Sequence, residues 1–224
     1  MSGSKAGKRA GAVCATSAAD LSAPPQAMPR VNCFTPGTLI GTPRGETAIE
    51  ALRPGNLVLT RDNGPQEISW IGERLIDGPL LRLHNRLQPV LIRAGVLGNG
   101  LPERDLVVSP NHRVLLTGDH PRLDAAEAEV LVSARHLVGT RGIEQARCEA
   151  VTYLHFTCDR HELVLSNGAW TESFQPSAKA LESVSEPARA ELLDLFPDLR
   201  QAGSRRAEPV RPAGRLHALP GGKI

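Results

Sequence analysis

From Cys33 onward the chain is punctuated: short apolar runs alternate with glycine, proline, asparagine and aspartate. Leu39-Ile40 stops at Gly41-Thr42-Pro43-Arg44-Gly45, Leu57 to Thr60 at Asp62-Asn63-Gly64-Pro65, and Ile68 to Ile71 at Gly72. Val90 to Ile92, Leu106 to Val108, Val114 to Leu116, Val130 to Val132, Val151 to Phe156 and Leu163 to Leu165 repeat the rhythm. Runs of this length suit strands and fall short of helices. A long succession of strand and turn commits the chain to an all-β domain with few helices.

The 224 residues are enough for one medium domain with tails. Residues 1–32 are rich in Ala, Ser, Gly and Pro and hold too little apolar surface to offset the entropy of ordering, so they read as a disordered leader. Residues 33–174 carry the strand rhythm. Residues 175–224 read as a tail with a short helix near 186–196, capped by Ser185 and stopped by Pro197. Beyond about Arg200 the tail reads as mobile, with Arg205-Arg206 exposed to solvent. Ile49-Glu50-Ala51-Leu52-Arg53-Pro54-Gly55 is faintly echoed by Val132-Ser133-Ala134-Arg135-His136-Leu137-Val138-Gly139, each a strand end running into a helical turn closed by glycine.

Composition excludes several roles. A net charge of +2 and 3% aromatic residues give no footprint for nucleic acid. No apolar run is long enough to span a bilayer, and the leader lacks the apolar core of a signal peptide, so the expectation is a cytoplasmic chain. Cys14, Cys33, Cys148 and Cys158 form no CxxC pair and read as reduced thiols. Cysteines and histidines do not cluster at ligand spacing; no metal and no cofactor are expected.

The chemistry points to Cys33 and a distant bend. Cys33-Phe34-Thr35-Pro36-Gly37 sets a thiol beside the Asn32 carbonyl, and Ser109-Pro110-Asn111-His112 sets a hydroxyl and an imidazole on one turn. Thiol plus histidine is the minimum for acyl transfer through sulfur. Attack of Cys33 on the Asn32–Cys33 bond would exchange an amide for a thioester. The amide resonance resists this, so the step needs a proton for the leaving nitrogen and donors for the oxyanion. His112 is the candidate proton donor; Ser109 is placed to bond either the imidazole or the scissile carbonyl. His155 reads as a core or face residue of its strand rather than a second base. Cys158 reads as a free surface thiol ahead of a receiver for a transferred acyl group, and Glu172 as a solvated strand-end cap ahead of a base for water attack.

The segment from Cys33 to Asp62, containing Gly45-Glu46-Thr47-Ala48-Ile49-Glu50-Ala51-Leu52-Arg53-Pro54-Gly55 and Val58-Leu59-Thr60, resembles the opening block of Hedgehog/intein (Hint) domains. Ser109-Pro110-Asn111-His112 resembles their second block, and Tyr153 to His161 with Gly168 their last. The pattern is most similar to the bacterial intein-like Hint group ending in Thr-Glu-Ser. The resemblance implies a Hint-type horseshoe of two pseudo-symmetric halves. It implies Cys33 as nucleophile, activation of the Asn32–Cys33 bond by His112 with Ser109, and a matching role for His161. Where inteins end in His-Asn, this chain has Glu172 and Ser173, so the cyclising amide is missing and full splicing is not expected. An aspartate of the last intein block is Leu154, and Asn56 stands where the family commonly has Asp.

The expected function is therefore autoprocessing by an N-to-S acyl shift at Asn32–Cys33, followed by cleavage or acyl transfer. The substrate is the chain's own N-terminal segment, and the acceptor is water or a small nucleophile. The alternatives are a processing-inactive Hint scaffold that binds a partner and, further off, a cysteine hydrolase acting in trans.

Overall fold

The computed structural model describes residues 32–118, 129–181, 184–195 and 211. The expected leader up to residue 31, Cys14, Pro197 and Arg205-Arg206 lie outside the described residues. Strands dominate. They are β1 (Leu39–Thr42), β2 (Gly45–Ala48), β3 (Leu57–Thr60), β4 (Gly64–Glu67), β5 (Trp70–Ile76), β6 (Val90–Ile92) and β7 (Leu106–Val108). β8 (Arg113–Thr117), β9 (Glu129–Ser133), β10 (Ile143–Gln145), β11 (Val151–Thr157), β12 (Leu163–Ser166) and β13 (Ala169–Glu172) follow. The helices are short: α1 (Gly78–Leu83), α2 (Ala134–Leu137), α3 (Ala178–Leu181) and α4 (Glu186–Leu195).

The fold is all-β and built from two related halves. The largest sheet runs β2-β1-β12-β13-β8-β9, so a central hairpin is flanked by two outer ones. The central hairpin turns on Asn167-Gly168, both with positive φ, as a tight two-residue connection requires. Each outer hairpin leads into a helical turn, Ile49–Ala51 after β2 and α2 after β9. The residues before the hairpins match as well: Thr38 C=O accepts from Ile49 N–H at 2.9 Å, and His112 C=O accepts from Ala134 N–H at 2.8 Å. The echo between Ile49 and Val132 segments thus marks real structural equivalence.

The axis between the halves passes near Phe34, which bridges antiparallel to Val108 on one side and to Leu154 on the other. Around it lies the main core, with Phe34, Ile40, Ile49, Val108, Val114, Val132, Phe156 and Val164 all buried. Strand β11 presents Leu154 and Phe156 to this core, while Val151 and Tyr153 join a second cluster with Cys33, Trp70, Phe174 and Leu192. Leu192 brings α4 into that cluster, and Glu191 accepts a hydrogen bond from Trp70 Nε1 at 2.8 Å.

Several expectations need correction. β5 does not end at Gly72 but continues to Ile76, because the missing Cβ leaves room for the Trp70 ring; an added methyl would lie 2.3 Å from that ring. The strands β2 and β4 are edge strands whose polar residues hide them from a hydrophobic pattern. The central strand β13 is also polar, with Thr171 and Glu172 buried rather than exposed. Glu172, expected as a solvated cap, is 1% exposed. Cys158 is not a surface thiol: it is packed in the core, and burial pushes it up to about 12. The α1 helix follows from local signals, an Asp77 side chain accepting from Leu80 N–H at 3.0 Å and Pro79 in the first turn.

Candidate active site

Strand register positions the nucleophile. Because Phe34 pairs antiparallel with both Val108 and Leu154, its neighbour Cys33 falls between Ser109 and His155. Ser109 holds Cys33 on both sides of the residue: its Oγ accepts from Cys33 N–H at 3.0 Å, and its N–H donates to Cys33 C=O at 2.9 Å. The hydroxyl therefore bonds the scissile amide nitrogen. Across the other strand, Cys33 Sγ lies 3.7 Å from His155 Nδ1. Strand alternation marks His155 in the sequence only as a core or face residue, because the pairing of Cys33 with β11 is a long-range fact that no local pattern carries.

The His155 ring is packed between Trp70 and Phe174, with centroids 5.2 and 5.0 Å away. Trp70 reaches it by folding over Gly72, which stands opposite His155 in the β5–β11 ladder. Burial, with Arg74 nearby, holds His155 down at about 4, and its Nε2 has no hydrogen-bond partner among the described residues. Burial likewise pushes the Cys33 thiol up to about 12, against opposing pulls from the Ser109 hydrogen bond and Arg74. The resting pair is a neutral thiol beside a neutral imidazole.

His112 sits on the Ser109 turn, its N–H donating to Ser109 C=O at 3.0 Å. Its ring packs edge-on against Phe34, centroids 4.4 Å apart, and is fully buried. Among the described residues neither ring nitrogen has a hydrogen-bond partner, so no direct bond reaches the Asn32–Cys33 peptide. Burial lowers its pKa to about 3. Two orphaned polar atoms in a packed core are costly, and such groups concentrate where function needs them.

His161 lies elsewhere, against Glu172. Its Nε2 is 3.2 Å from Glu172 Oε2, within ion-pair distance but off the direction of a hydrogen bond. Glu172 Oε1 accepts from Arg113 N–H at 3.0 Å, and Arg113 Nη1 lies 3.5 Å from Oε2. Glu172, Arg113 and Asn32 line one open cavity of about 250 Å³ together with Phe174, Gln175 and Ser177. Glu172 thus links His161 to the cavity that Asn32 lines. Ser173 is buried, and its Oγ accepts from Glu162 N–H at 2.9 Å. Leu154, in place of the intein aspartate, exchanges backbone hydrogen bonds with Phe34, and Asn56 Oδ1 keeps a turn contact by accepting from Arg53 N–H at 2.9 Å.

The family model for the Hint domain matches residues 32–178. The chain belongs to the Hint domain family. Among solved structures, this Hint chain is similar to a bacterial intein-like domain from Clostridium thermocellum at 15% identity and a TM-score of 0.39, over 66% of this chain and 100% of that one. It is also similar to the gp41-1 intein at 14% identity and a TM-score of 0.37, over 62% of this chain and 97% of that one. The Msm DnaB1 intein splicing domain matches at 13% identity and 0.37, over 62% and 98%. No curated protein matches. The assignment rests on the family match, which supports a domain of the autoprocessing type. No helix among the described residues is long and apolar enough to cross a membrane.

Proposed function

We propose that this Hint domain cleaves its own chain at Asn32–Cys33 through a thioester and does not splice. The observation that carries the reading is the placing of Cys33 between Ser109 Oγ and His155 Nδ1. Sγ attacks the Asn32 carbonyl carbon as its proton passes to His155, which burial keeps unprotonated at neutral pH. With the thiol held near 12, attack and proton transfer belong to one step, since almost no thiolate is present beforehand. The C–N bond then breaks, and the nitrogen takes up the proton. Ser109, 3.0 Å from that nitrogen, relays to it the proton that His155 took from sulfur, and the neutral His112 imidazole on the same turn is the second shuttle.

The absence of splicing is supported by Glu172 and Ser173 in the places of the cyclising ending. Ser173 is further occupied as an acceptor for a backbone N–H. The leading alternative is a processing-inactive scaffold. Incubation of the full chain with dithiothreitol, read by intact mass, separates the two. Autoprocessing yields residues 1–32 and a partner fragment beginning at Cys33, and none from Cys33→Ala. An intact wild-type chain would leave the scaffold reading instead.

A further inference from the structure

Resting on the thioester reading above, we infer that Glu172 is the base that delivers water to the Cys33 thioester, with His161 as its positioning residue. The acceptor is then water rather than another polypeptide.

Glu172 is a carboxylate on the central strand β13 and is 1% exposed. Burying such a group is costly unless its lone pairs are used. Arg113 N–H takes one at 3.0 Å, while His161 Nε2 at 3.2 Å and Arg113 Nη1 at 3.5 Å flank the second oxygen. A carboxylate offers about four acceptor directions, so one remains for a further donor. The cavity it shares with Asn32, about 250 Å³, has room for several waters and polar side chains to bond them. Glu172 therefore borders the same cavity as the scissile residue Asn32, while His155 and Ser109 attend the sulfur and nitrogen. A hairpin strand needs no buried glutamate for packing, and Arg113 N–H could be paired by an ordinary ladder bond.

The step balances as follows. A water oxygen bonds to the Asn32 carbonyl carbon as one of its protons moves to Glu172. The C–S bond breaks, the Cys33 sulfur leaves with its electron pair, and it regains a proton from the pool held by Glu172. The products are residues 1–32 ending in a carboxylic acid at Asn32 and a chain with Cys33 as its free amino terminus.

The test compares two acceptors on the full chain, with intact mass as readout. Wild type is incubated in H₂¹⁸O alone and, separately, with hydroxylamine, which needs no base to attack a thioester. Glu172→Gln keeps the Arg113 contact and should slow ¹⁸O-labelled release about a hundredfold or more, with hydroxylamine cleavage unchanged. Glu172→Asp should recover part of the hydrolysis. His161→Gln should lower hydrolysis by less and move its pH profile. The inference is overturned if Glu172→Gln hydrolyses at the wild-type rate, if it loses both reactions equally, or if wild type responds to hydroxylamine but never to water. Failure of wild type to respond to either would remove the thioester reading along with it, a result distinct from the other three.

Discussion

Two turns, one in each half, close with the same hydrogen bond and carry opposite chemistry. Thr35-Pro36-Gly37-Thr38 closes with Thr38 N–H on Thr35 C=O at 3.2 Å, and Ser109-Pro110-Asn111-His112 closes with His112 N–H on Ser109 C=O at 3.0 Å. Each turn sends a hydroxyl across the axis to the other half. Thr35 Oγ1 donates to Val107 C=O at 2.9 Å, whereas Ser109 Oγ accepts from Cys33 N–H at 3.0 Å. Thr38 Oγ1 is satisfied by Thr35 C=O at 2.8 Å, while both nitrogens of the equivalent His112 are orphaned. The first turn is a finished structural joint. The second keeps unsatisfied polar groups at the same place, and these are what a proton-moving site would retain at the expense of stability.

The largest break in this comparison is expected from Cys33→Ala, which removes the sulfur and should abolish cleavage by every acceptor, as seen by intact mass. Next, His155→Gln should slow thioester formation about a hundred- to ten-thousandfold, the usual weight of a general base. Its measurement is the rate of hydroxylamine-driven release. His112→Leu should slow that rate to a similar extent and yet raise the urea midpoint, because removing orphaned buried atoms relieves about 1–3 kcal/mol. Thr38→Val, its counterpart, should lower the midpoint and leave the rate alone.

The hydroxyl pair gives a smaller and sharper contrast. Ser109→Ala leaves the scissile N–H without its acceptor and should slow cleavage about tenfold or more, with about 1–3 kcal/mol lost in urea unfolding. Thr35→Val should cost comparable stability and change the rate little. If both substitutions slow cleavage equally, the two turns are not functionally distinct.

Acid stability gives a contrast that does not depend on the cleavage rate. His155 falls from 6.5 to about 4 on folding and His112 from 6.5 to about 3, both through burial. Below pH 6.5 the unfolded chain therefore binds protons that the fold refuses, and stability falls as the pH drops toward 4 and then 3. On the alkaline side Cys33 rises from 9.0 to about 12, so stability should decline again above pH 9. Unfolding midpoints across pH should show a shallower acid limb in His112→Leu and an unchanged one in Thr38→Val.

Legibility in the sequence follows the range of the interaction. Runs such as Leu57–Thr60 and Leu163–Ser166 announce themselves because burial on one or both faces demands apolar residues. Polar strands such as Gly64–Glu67 at an edge and Ala169–Glu172 at the centre do not, since their pairing is fixed by neighbours distant in sequence. Cys33 and Ser109 were readable as chemistry, and they meet. His155 was readable as a strand residue only, because its value depends on the antiparallel register of Phe34 with Leu154. Glu172 looked like a strand end; that it is buried beside His161 and shares a cavity with Asn32 follows from the β13–β8 pairing.

The most direct measurement is hydroxamate formation at Asn32 in folded full-length protein treated with hydroxylamine at neutral pH. Mass spectrometry should find residues 1–32 ending in a hydroxamate and a partner beginning at Cys33, absent in Cys33→Ala and strongly reduced in His155→Gln. A wild-type chain that stays whole, or a hydroxamate that forms equally well without Cys33, would contradict the account.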